Sequence, residues 1–243
     1  MPLPPTFQVR LVDSRTLSPS VRELTFERED GSAFAFDAGQ WVSLVLPRPD
    51  GEIRRSYSIA SHPSESPSFQ LAITKVDGGP GSTYLHELSR GATLTAIGPQ
   101  GFFSRPLDKT GPSLFVATGT GLTPLRSMVR AAVETGHTLP MWVLFGVRHE
   151  RDIFYREEFA ELARKHANIR FVPTLSRADE TWSGPRGYVQ THVPTLWNEL
   201  TGLGLGTPHA YICGLKRMVS TVRDLLRNDM RIPRDHVHSE RYD

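Results

Sequence analysis

Two glycines stand where an apolar strand gives way to a helix in the segment SLFVATGTGLTPLRSMV. Gly119 and Gly121 follow the apolar run directly, and Thr123 and Pro124 precede the helical pattern. Glycine lets the backbone approach an anion closely, and a helix start offers N–H groups without intrahelical acceptors. We interpret the segment as a phosphate cradle, with Thr123 as the N-cap and Pro124 as the first helical residue. On this motif alone, a purely structural turn explains the glycines equally well.

A second stretch with the residue types for cofactor binding is RRSYSIAS, at residues 54–61. In an extended segment Arg55 and Tyr57 share one face, and Ser56 and Ser58 share the other. Arginine can grip a phosphate through two parallel hydrogen bonds, and a tyrosine ring offers a flat surface against which a flavin can stack. The alternative interpretation is an ordinary strand with a polar edge.

These two stretches lie in parts of the chain that differ in periodicity. From about Phe7 to Leu107, short apolar runs are broken by Gly, Pro, Asp and Ser, which predicts an antiparallel barrel or sandwich. After Pro112, apolar strands alternate with helical stretches, which predicts a parallel sheet. We therefore predict two domains, an N-terminal antiparallel β-barrel over residues 1–107 and an α/β parallel-sheet domain over residues 112–243.

Composition excludes several classes of function. The 28 basic and 26 acidic residues give a net charge of +2 without a basic stripe, so we expect no nucleic-acid partner. The single cysteine, Cys213, excludes an internal disulfide and a cluster held by four thiolates of this chain, and it favours a reducing cytoplasm. No apolar run approaches the length of a membrane span, so we expect a cytoplasmic chain without a membrane partner.

Metal and hydrolase chemistry find little support. His236 and His238 alternate as metal ligands can, but no second ligand pair accompanies them, so we predict no metal site. No serine stands in a nucleophile context such as GxSxG.

Five motifs follow one another along the chain: RSYS at 55–58, GPGSTYL at 79–85, GPQGFF at 98–103, GTGLTP at 119–124 and ICG at 212–214, with a terminal ERYD. This succession resembles the ferredoxin-NADP reductase family and covers nearly the whole chain. An ordered set of motifs is far more specific than any one of them. The resemblance implies FAD in the first domain and NADP(H) in the second, with NAD(H) as the alternative nucleotide.

For the flavin, the resemblance implies that Arg55 holds the FAD pyrophosphate, Tyr57 stacks on the isoalloxazine and Ser58 hydrogen-bonds near N5. Strict alternation would turn Ser58 away, so this role requires the strand to bend or end there. Gly79 and Ser82 match the second flavin stretch, where a helix start meets the pyrophosphate.

For the dinucleotide, the resemblance assigns the pyrophosphate to Gly119, Thr120, Gly121 and Pro124. It places Cys213 near the nicotinamide, although a lone buried cysteine is usually only a small apolar residue.

The same resemblance concerns two further segments. Ser176, Arg177 and Tyr188 match the site that grips the 2′-phosphate of NADP. Near the chain end, Tyr242 matches an aromatic that covers the flavin face which the nicotinamide must reach, and Glu240 matches a carboxylate near the hydride-transfer site.

The activity implied is that of a ferredoxin-NADP reductase-like enzyme that exchanges hydride with NADP(H) and single electrons with a separate carrier such as ferredoxin or flavodoxin. One alternative is a reductase component of an oxygenase or cytochrome system, using NADH or NADPH. Another, of a different class, is a non-catalytic flavin-binding electron-transfer subunit. The sequence does not set the oligomeric state.

Overall fold

The structure, a computed structural model, describes residues 4–64, 66–106 and 111–242. The chain forms two compact units. The first extends to Arg105 and includes Arg126–Ala131, and the second comprises Pro106–Leu125 and the chain from Ala132 onward. The predicted domain ends at Leu107 and Asp243 lie outside the described residues, and the predicted boundaries stay a prediction.

The first unit is built on one antiparallel sheet with the strand order β4-β3-β6-β1-β2-β5. Its strands are β1 (Thr6–Ser18), β2 (Val21–Arg28), β3 (Trp41–Arg48), β4 (Gly51–Ser58), β5 (Ser68–Thr74) and β6 (Thr93–Gln100). Just beyond β4, Ile59 forms an antiparallel bridge with Leu71 of β5, so the two edges of the sheet meet. The antiparallel barrel predicted from the short apolar runs is confirmed.

The interior of this barrel is filled by alternating apolar side chains of its strands. In β1, for example, Phe7, Val9 and Leu11 are buried while their neighbours are exposed or half-buried. Phenylalanine rings cluster at the centre, where Phe34 lies 4.7 Å from Phe69 between ring centroids. One helix, α1 (Pro80–Glu87), follows β5 and buries Leu85 against this core.

The second unit is a five-stranded parallel sheet with the order β11-β10-β7-β8-β9. Its strands are β7 (Ser113–Thr118), β8 (Met141–Val147), β9 (Ile169–Leu175), β10 (His209–Leu215) and β11 (Val237–Tyr242). The helix α2 (Leu122–Glu134) begins and ends in this unit, while its residues Arg126–Ala131 are grouped with the first. The other helices are α3 (Arg156–Lys165), α4 (Val193–Gly202) and α5 (Lys216–Asp224), and α5 continues into a π-helical turn over Leu225–Asp229. The predicted α/β parallel-sheet domain is therefore confirmed.

The strand order of this sheet reverses between β7 and β10. From β7 the chain moves outward through β8 to β9, and it then returns to the other side of β7 to form β10 and β11. In open α/β sheets, ligands bind beyond the carboxyl ends of the strands at such a reversal. The segment after β7 and the end of β10 are therefore the places to look for a dinucleotide site in this unit.

Candidate functional site

The RSYS motif forms the end of β4 in the first unit. Arg55 is exposed, Tyr57 is half-buried against the barrel core, and Ser58, the last residue of the strand, is buried. Burial raises the pKa of Tyr57 to about 12, and the charge of Arg55 opposes this rise. The phenol is therefore neutral at physiological pH and presents an uncharged ring beside a permanent cation.

The chain changes partners immediately after Ser58. The amide of Ile59 donates to the Gln40 carbonyl at 2.9 Å, and the amide of Ala60 donates to the Gln70 carbonyl at 2.8 Å. The strand thus ends at Ser58 as the flavin role of this serine requires, because the backbone leaves β3 to bridge β5. The role of Ser58 itself stays a prediction.

The GPGSTYL motif supplies the start of α1. Gly79 is the N-cap residue and Pro80 begins the helix, so the first-turn amides of Gly81 and Ser82 have no intrahelical acceptors. The hydroxyl of Ser82 is buried, accepts the amide of Val76 at 3.0 Å and donates to the Gly79 carbonyl at 3.1 Å. In this arrangement Ser82 shapes the turn with its side chain and leaves its amide for an anion.

The RSYS and GPGSTYL motifs meet at Gly81. A Cβ built on Gly81 would lie 3.0 Å from Cγ of Arg55, tighter than ordinary contact. Glycine therefore lets the positive end of α1 lie against the stem of an exposed arginine. No carboxylate in the described part of the chain forms an ion pair with Arg55, whose Nη1 donates only to the neighbouring Arg54 carbonyl. The start of the helix and a guanidinium without an ion-pair partner among the described residues together fit a diphosphate.

In the second unit, GTGLTP forms a tight turn followed by α2. Gly119–Gly121 make one 3-10 turn, and α2 begins at Leu122. The prediction that Thr123 is the N-cap is wrong: Thr123 lies inside the helix and its hydroxyl donates to the Thr120 carbonyl at 2.8 Å. The 3-10 turn extends the helical path backwards, so Thr118 takes the cap position and Pro124 becomes the third residue of α2.

The GTGLTP turn packs against the end of β10. A Cβ built on Gly121 would lie 2.6 Å from the Gly214 nitrogen and closer still to the Cys213 carbonyl oxygen. Such separations are not tolerated, so Gly121 must be glycine for the turn to rest on this strand. The two motifs, about ninety residues apart in sequence, therefore form one surface at the strand-order reversal.

Cys213 is buried in β10 beside the last strand. In the parallel register, Cys213 lies opposite Glu240 and Leu215 lies opposite Tyr242. Burial, with the charge of Glu240, raises the pKa of the Cys213 thiol, and the side chain of Tyr242 hydrogen-bonds to it. The sulfur is thus a neutral thiol at physiological pH and is not poised as a nucleophile.

Glu240 and Tyr242 are held by strand pairing. Both side chains are half-buried, and the strand that carries them runs to Tyr242. The following residue, Asp243, lies outside the described residues. Three residues assigned from the resemblance, Cys213, Glu240 and Tyr242, are therefore brought together at one place.

The predicted 2′-phosphate site follows β9. The amide of Ser176 donates to the Val147 carbonyl at 3.0 Å, and the amide of Arg177 donates to the Arg148 carbonyl at 2.9 Å. Tyr188 is 66% exposed and directly follows Gly187, whose amide donates to the Leu175 carbonyl at 2.8 Å. These bonds bring Ser176, Arg177 and Tyr188 to the same end of the sheet.

Sequence analysis missed Arg148, which is exposed and follows β8 as Arg177 follows β9. Neither guanidinium has a hydrogen-bonded or ion-pair partner in the part of the chain that the structure describes. Arg186, by contrast, donates to the carbonyls of Ala178, Asp179 and Trp182 and so holds its own loop. The sequence could have indicated Arg148, because it directly follows a predicted strand, and the carboxyl ends of neighbouring parallel strands lie at one edge of the sheet.

The structure also bears on metal binding and membrane insertion. His236 stacks on His209 at 4.2 Å between ring centroids, and His238 lies 3.2 Å from His209 between ring nitrogens. In residues 4–64, 66–106 and 111–242, no group of three His, Cys, Asp or Glu side chains is placed to hold a metal ion. Over the same residues, no helix is long and apolar enough to cross a membrane.

Two family models match the chain in the same order as the two units. The model of the oxidoreductase FAD-binding domain matches residues 8–104, and that of the oxidoreductase NAD-binding domain matches residues 115–224. FAD and a nicotinamide dinucleotide, the cofactors predicted from the motifs, are confirmed by these matches.

Individual relatives extend this similarity over the whole chain. Ferredoxin-NADP reductase B of Sorangium cellulosum (strain So ce56) is 60% identical over 98% of both chains. The phenol hydroxylase P5 protein of Acinetobacter pittii (strain PHEA-2) is 30% identical over 97% of this chain and 65% of that protein. Among solved structures, the Amycolatopsis cytochrome P450 reductase GcoB has a TM-score of 0.85 at 26% identity, over 98% of this chain and 69% of that one.

Proposed function

We propose that this chain, which belongs to the ferredoxin-NADP reductase family, exchanges hydride with NADP(H) through FAD and exchanges single electrons with a separate carrier protein. The observation that carries the proposal is the 60% identity to a ferredoxin-NADP reductase over 98% of both chains. FAD, when bound, takes up two electrons as hydride and releases them singly. The protein residues bind, orient and shield the reacting groups.

In the first unit, we assign the FAD diphosphate to Arg55 and the start of α1. The stem of the exposed Arg55 side chain lies against Gly81, whose amide and that of Ser82 belong to the first turn of the helix. Anions are stabilised at this end of a helix by its dipole and its free N–H groups. Gly79 caps the helix, Tyr57 offers its neutral ring to the isoalloxazine, and Ser58 supplies a hydroxyl near N5.

In the second unit, we assign the dinucleotide diphosphate to the turn that opens α2. Gly119, Thr120 and Gly121 present backbone to the ligand, and Pro124 fixes the first turn of the helix behind them. The contact of Gly121 with Cys213 supports a nicotinamide position beside the thiol, at the reversal of strand order. The neutral thiol fills space there without adding charge.

Glu240 and Tyr242 complete this assignment. Glu240 places a carboxylate beside Cys213, where we propose that it orients the nicotinamide for hydride transfer. We give Tyr242 the role that the family resemblance implies, in which its ring would cover a bound flavin until the nicotinamide displaced it, stabilising the unliganded state at the expense of nucleotide affinity.

We propose NADPH as the preferred nucleotide. Arg148 and Arg177 lie side by side at the ends of β8 and β9, with the Ser176 hydroxyl and the exposed Tyr188 ring nearby. Two uncommitted guanidiniums match a phosphate dianion, whereas the 2′-hydroxyl of NADH needs neither charge. Arg186 supports the loop between these groups.

Ferredoxin or flavodoxin is the proposed carrier, and the cytoplasm is the proposed compartment. The single buried cysteine is typical of a chain kept reduced. One cysteine cannot hold an iron–sulfur cluster, so residues 1–243 do not carry one by themselves. The carrier that we propose is a separate protein.

A reductase component of an oxygenase system is the second candidate. It is favoured by the 30% identity to the phenol hydroxylase P5 protein, of which this chain matches 65%. The test is steady-state reduction of purified ferredoxin, flavodoxin and oxygenase components from the source cell by NADPH. Saturable reduction of ferredoxin or flavodoxin at the highest kcat/KM supports the main proposal. Preferential reduction of an oxygenase component supports the second candidate and contradicts the first.

A further inference from the structure

Arg22 of β2 binds the carboxyl end of α1. Its Nη1 donates to the His86 carbonyl at 2.6 Å and to the Leu85 carbonyl at 3.3 Å, and its Nη2 donates to the Ser14 hydroxyl at 2.7 Å. The guanidinium is half-buried between β1, β2 and the helix. One side chain therefore ties two barrel strands to the last turn of α1.

The two carbonyls that Arg22 binds are among those that a helix end leaves without intrahelical donors. A cation at this end also interacts favourably with the helix dipole. A second anchor lies in the same turn, where Nε2 of His86 donates to the Ile73 carbonyl at 2.9 Å. Because Arg22 and Ile73 are paired across β2 and β5, both anchors attach α1 to the same place on the barrel.

The opposite end of α1 lies beside Arg55. The helix has eight residues, a length of about 12 Å, so a tilt at its carboxyl end displaces its first turn. Gly81 packs closely on the Arg55 side chain, so a small displacement of the first turn changes this contact. The separation between the free amides of α1 and the Arg55 guanidinium therefore depends on how the carboxyl end is held.

We propose that Arg22 is a positioning residue for the FAD diphosphate, acting through α1 without touching the cofactor. This inference rests on the proposed assignment of the diphosphate to α1 and Arg55. Arg22 sets the placement of the helix start, and the helix start with Arg55 grips the phosphates. Loss of Arg22 should weaken recognition of the diphosphate and leave recognition of the isoalloxazine ring unchanged.

The test compares FAD with riboflavin, which carries the same ring and no phosphate, on protein stripped of flavin. Dissociation constants are measured by fluorescence titration for wild type, Arg22→Gln, Arg22→Lys and Arg10→Gln. Arg10 is the matched control, because this β1 arginine pairs with Glu29, the residue that follows β2, and its side-chain hydrogen bonds in the described part of the chain do not involve α1. Arg22→Lys keeps the charge and tests the inference should Arg22→Gln fail to fold.

We expect Arg22→Gln to weaken FAD binding roughly five- to tenfold and to leave riboflavin binding unchanged. The reason is that the interaction at the carboxyl end of α1 is lost, and the groups that hold the phosphates are then misplaced. Arg22→Lys should show a smaller loss with the same selectivity, and Arg10→Gln should match wild type. Equal losses for FAD and riboflavin, or no loss for either, would overturn the inference.

An Arg55→Gln variant separates this inference from the function on which it rests. If Arg55→Gln lowers the preference for FAD over riboflavin and the Arg22 variants do not, only the role of Arg22 is wrong. If Arg55→Gln leaves that preference at the wild-type value, the assignment of the diphosphate is wrong and the role of Arg22 falls with it.

Discussion

The main-chain oxygen of Cys213 lies directly against Gly121, so that no side chain fits between the turn after β7 and the end of β10. This contact joins the two motifs that the proposal assigns to one nucleotide. A side chain added at Gly121 would meet the backbone of Cys213, which cannot rotate away as a flexible side chain can.

Replacing Gly121 with alanine should weaken NADP⁺ binding by at least about tenfold, because the turn must lift away from β10. FAD content should be unchanged, since Gly121 belongs to the other unit. The measurement is calorimetric titration of NADP⁺ together with the flavin-to-protein ratio. Gly202→Ala is the control, because a Cβ at Gly202 meets nothing within 4 Å. Unchanged NADP⁺ affinity in Gly121→Ala would show that the turn does not hold the nucleotide.

The buried thiol of Cys213 predicts a pH dependence of stability. Burial raises its pKa above the ordinary value of 9.0, so the folded state keeps a proton that the unfolded chain releases. Below pH 9.0 the thiol is protonated in both states and does not change the free energy of unfolding with pH. Above that pH only the unfolded chain releases the proton, which favours unfolding increasingly as pH rises. The free energy of unfolding of wild type relative to Cys213→Ala should therefore fall above this pH, by up to about 1.4 kcal/mol per pH unit. Parallel curves for the two proteins from pH 8 to pH 10, measured by denaturant unfolding, would contradict a raised thiol pKa.

Arg177→Ala should raise KM for NADPH roughly tenfold or more and leave KM for NADH nearly unchanged, because a charge-assisted bond to the 2′-phosphate is lost. Arg148→Ala should act in the same direction. Arg170→Ala is the control, since this arginine lies on β9 but pairs with Glu199. Steady-state kinetics with both nucleotides check the prediction, and equal effects on NADPH and NADH would remove Arg148 and Arg177 from the phosphate site.

Tyr242→Ser should tighten NADP⁺ binding roughly three- to tenfold and shift the flavin absorbance, because the ring no longer competes with the nicotinamide. Tyr242→Phe separates the ring from the hydroxyl that bonds to Cys213, and it should keep an affinity near that of wild type. Difference spectra during NADP⁺ titration report both quantities. An unchanged affinity and spectrum in Tyr242→Ser would mean that this residue is not a gate.

The parts of the fold and of the site that could be predicted from the sequence are those where the local backbone or the burial of a strand requires a particular residue type. Gly121 is required by a close backbone approach, and the glycines of GTGLTP mark a strand-to-helix turn whatever surrounds them. The alternation in β1 and the continuous apolar runs of β7 and β10 likewise separate an antiparallel barrel from a buried parallel sheet.

Features that depend on pairing between distant segments could not be predicted in the same way. Thr123 has the residue type of an N-cap, but the 3-10 turn before it moves the helix start to Leu122. The sequence places Arg148 at the end of a strand, but only the bond from the Arg177 amide to the Arg148 carbonyl shows that these two arginines are neighbours. The sequence likewise could not show that Arg186, two residues before Tyr188, donates to three backbone carbonyls of its own loop.

Anaerobic mixing of the purified FAD-loaded protein with NADPH tests the central claim most directly. The account predicts that the flavin absorbance band is lost rapidly on mixing and returns when oxidised ferredoxin or flavodoxin is added. Glu240→Ala should keep its FAD and lose the band roughly tenfold or more slowly, because the carboxylate beside Cys213 orients the reacting nucleotide. A wild-type protein that holds FAD but keeps its absorbance unchanged with excess NADPH and NADH would contradict the account.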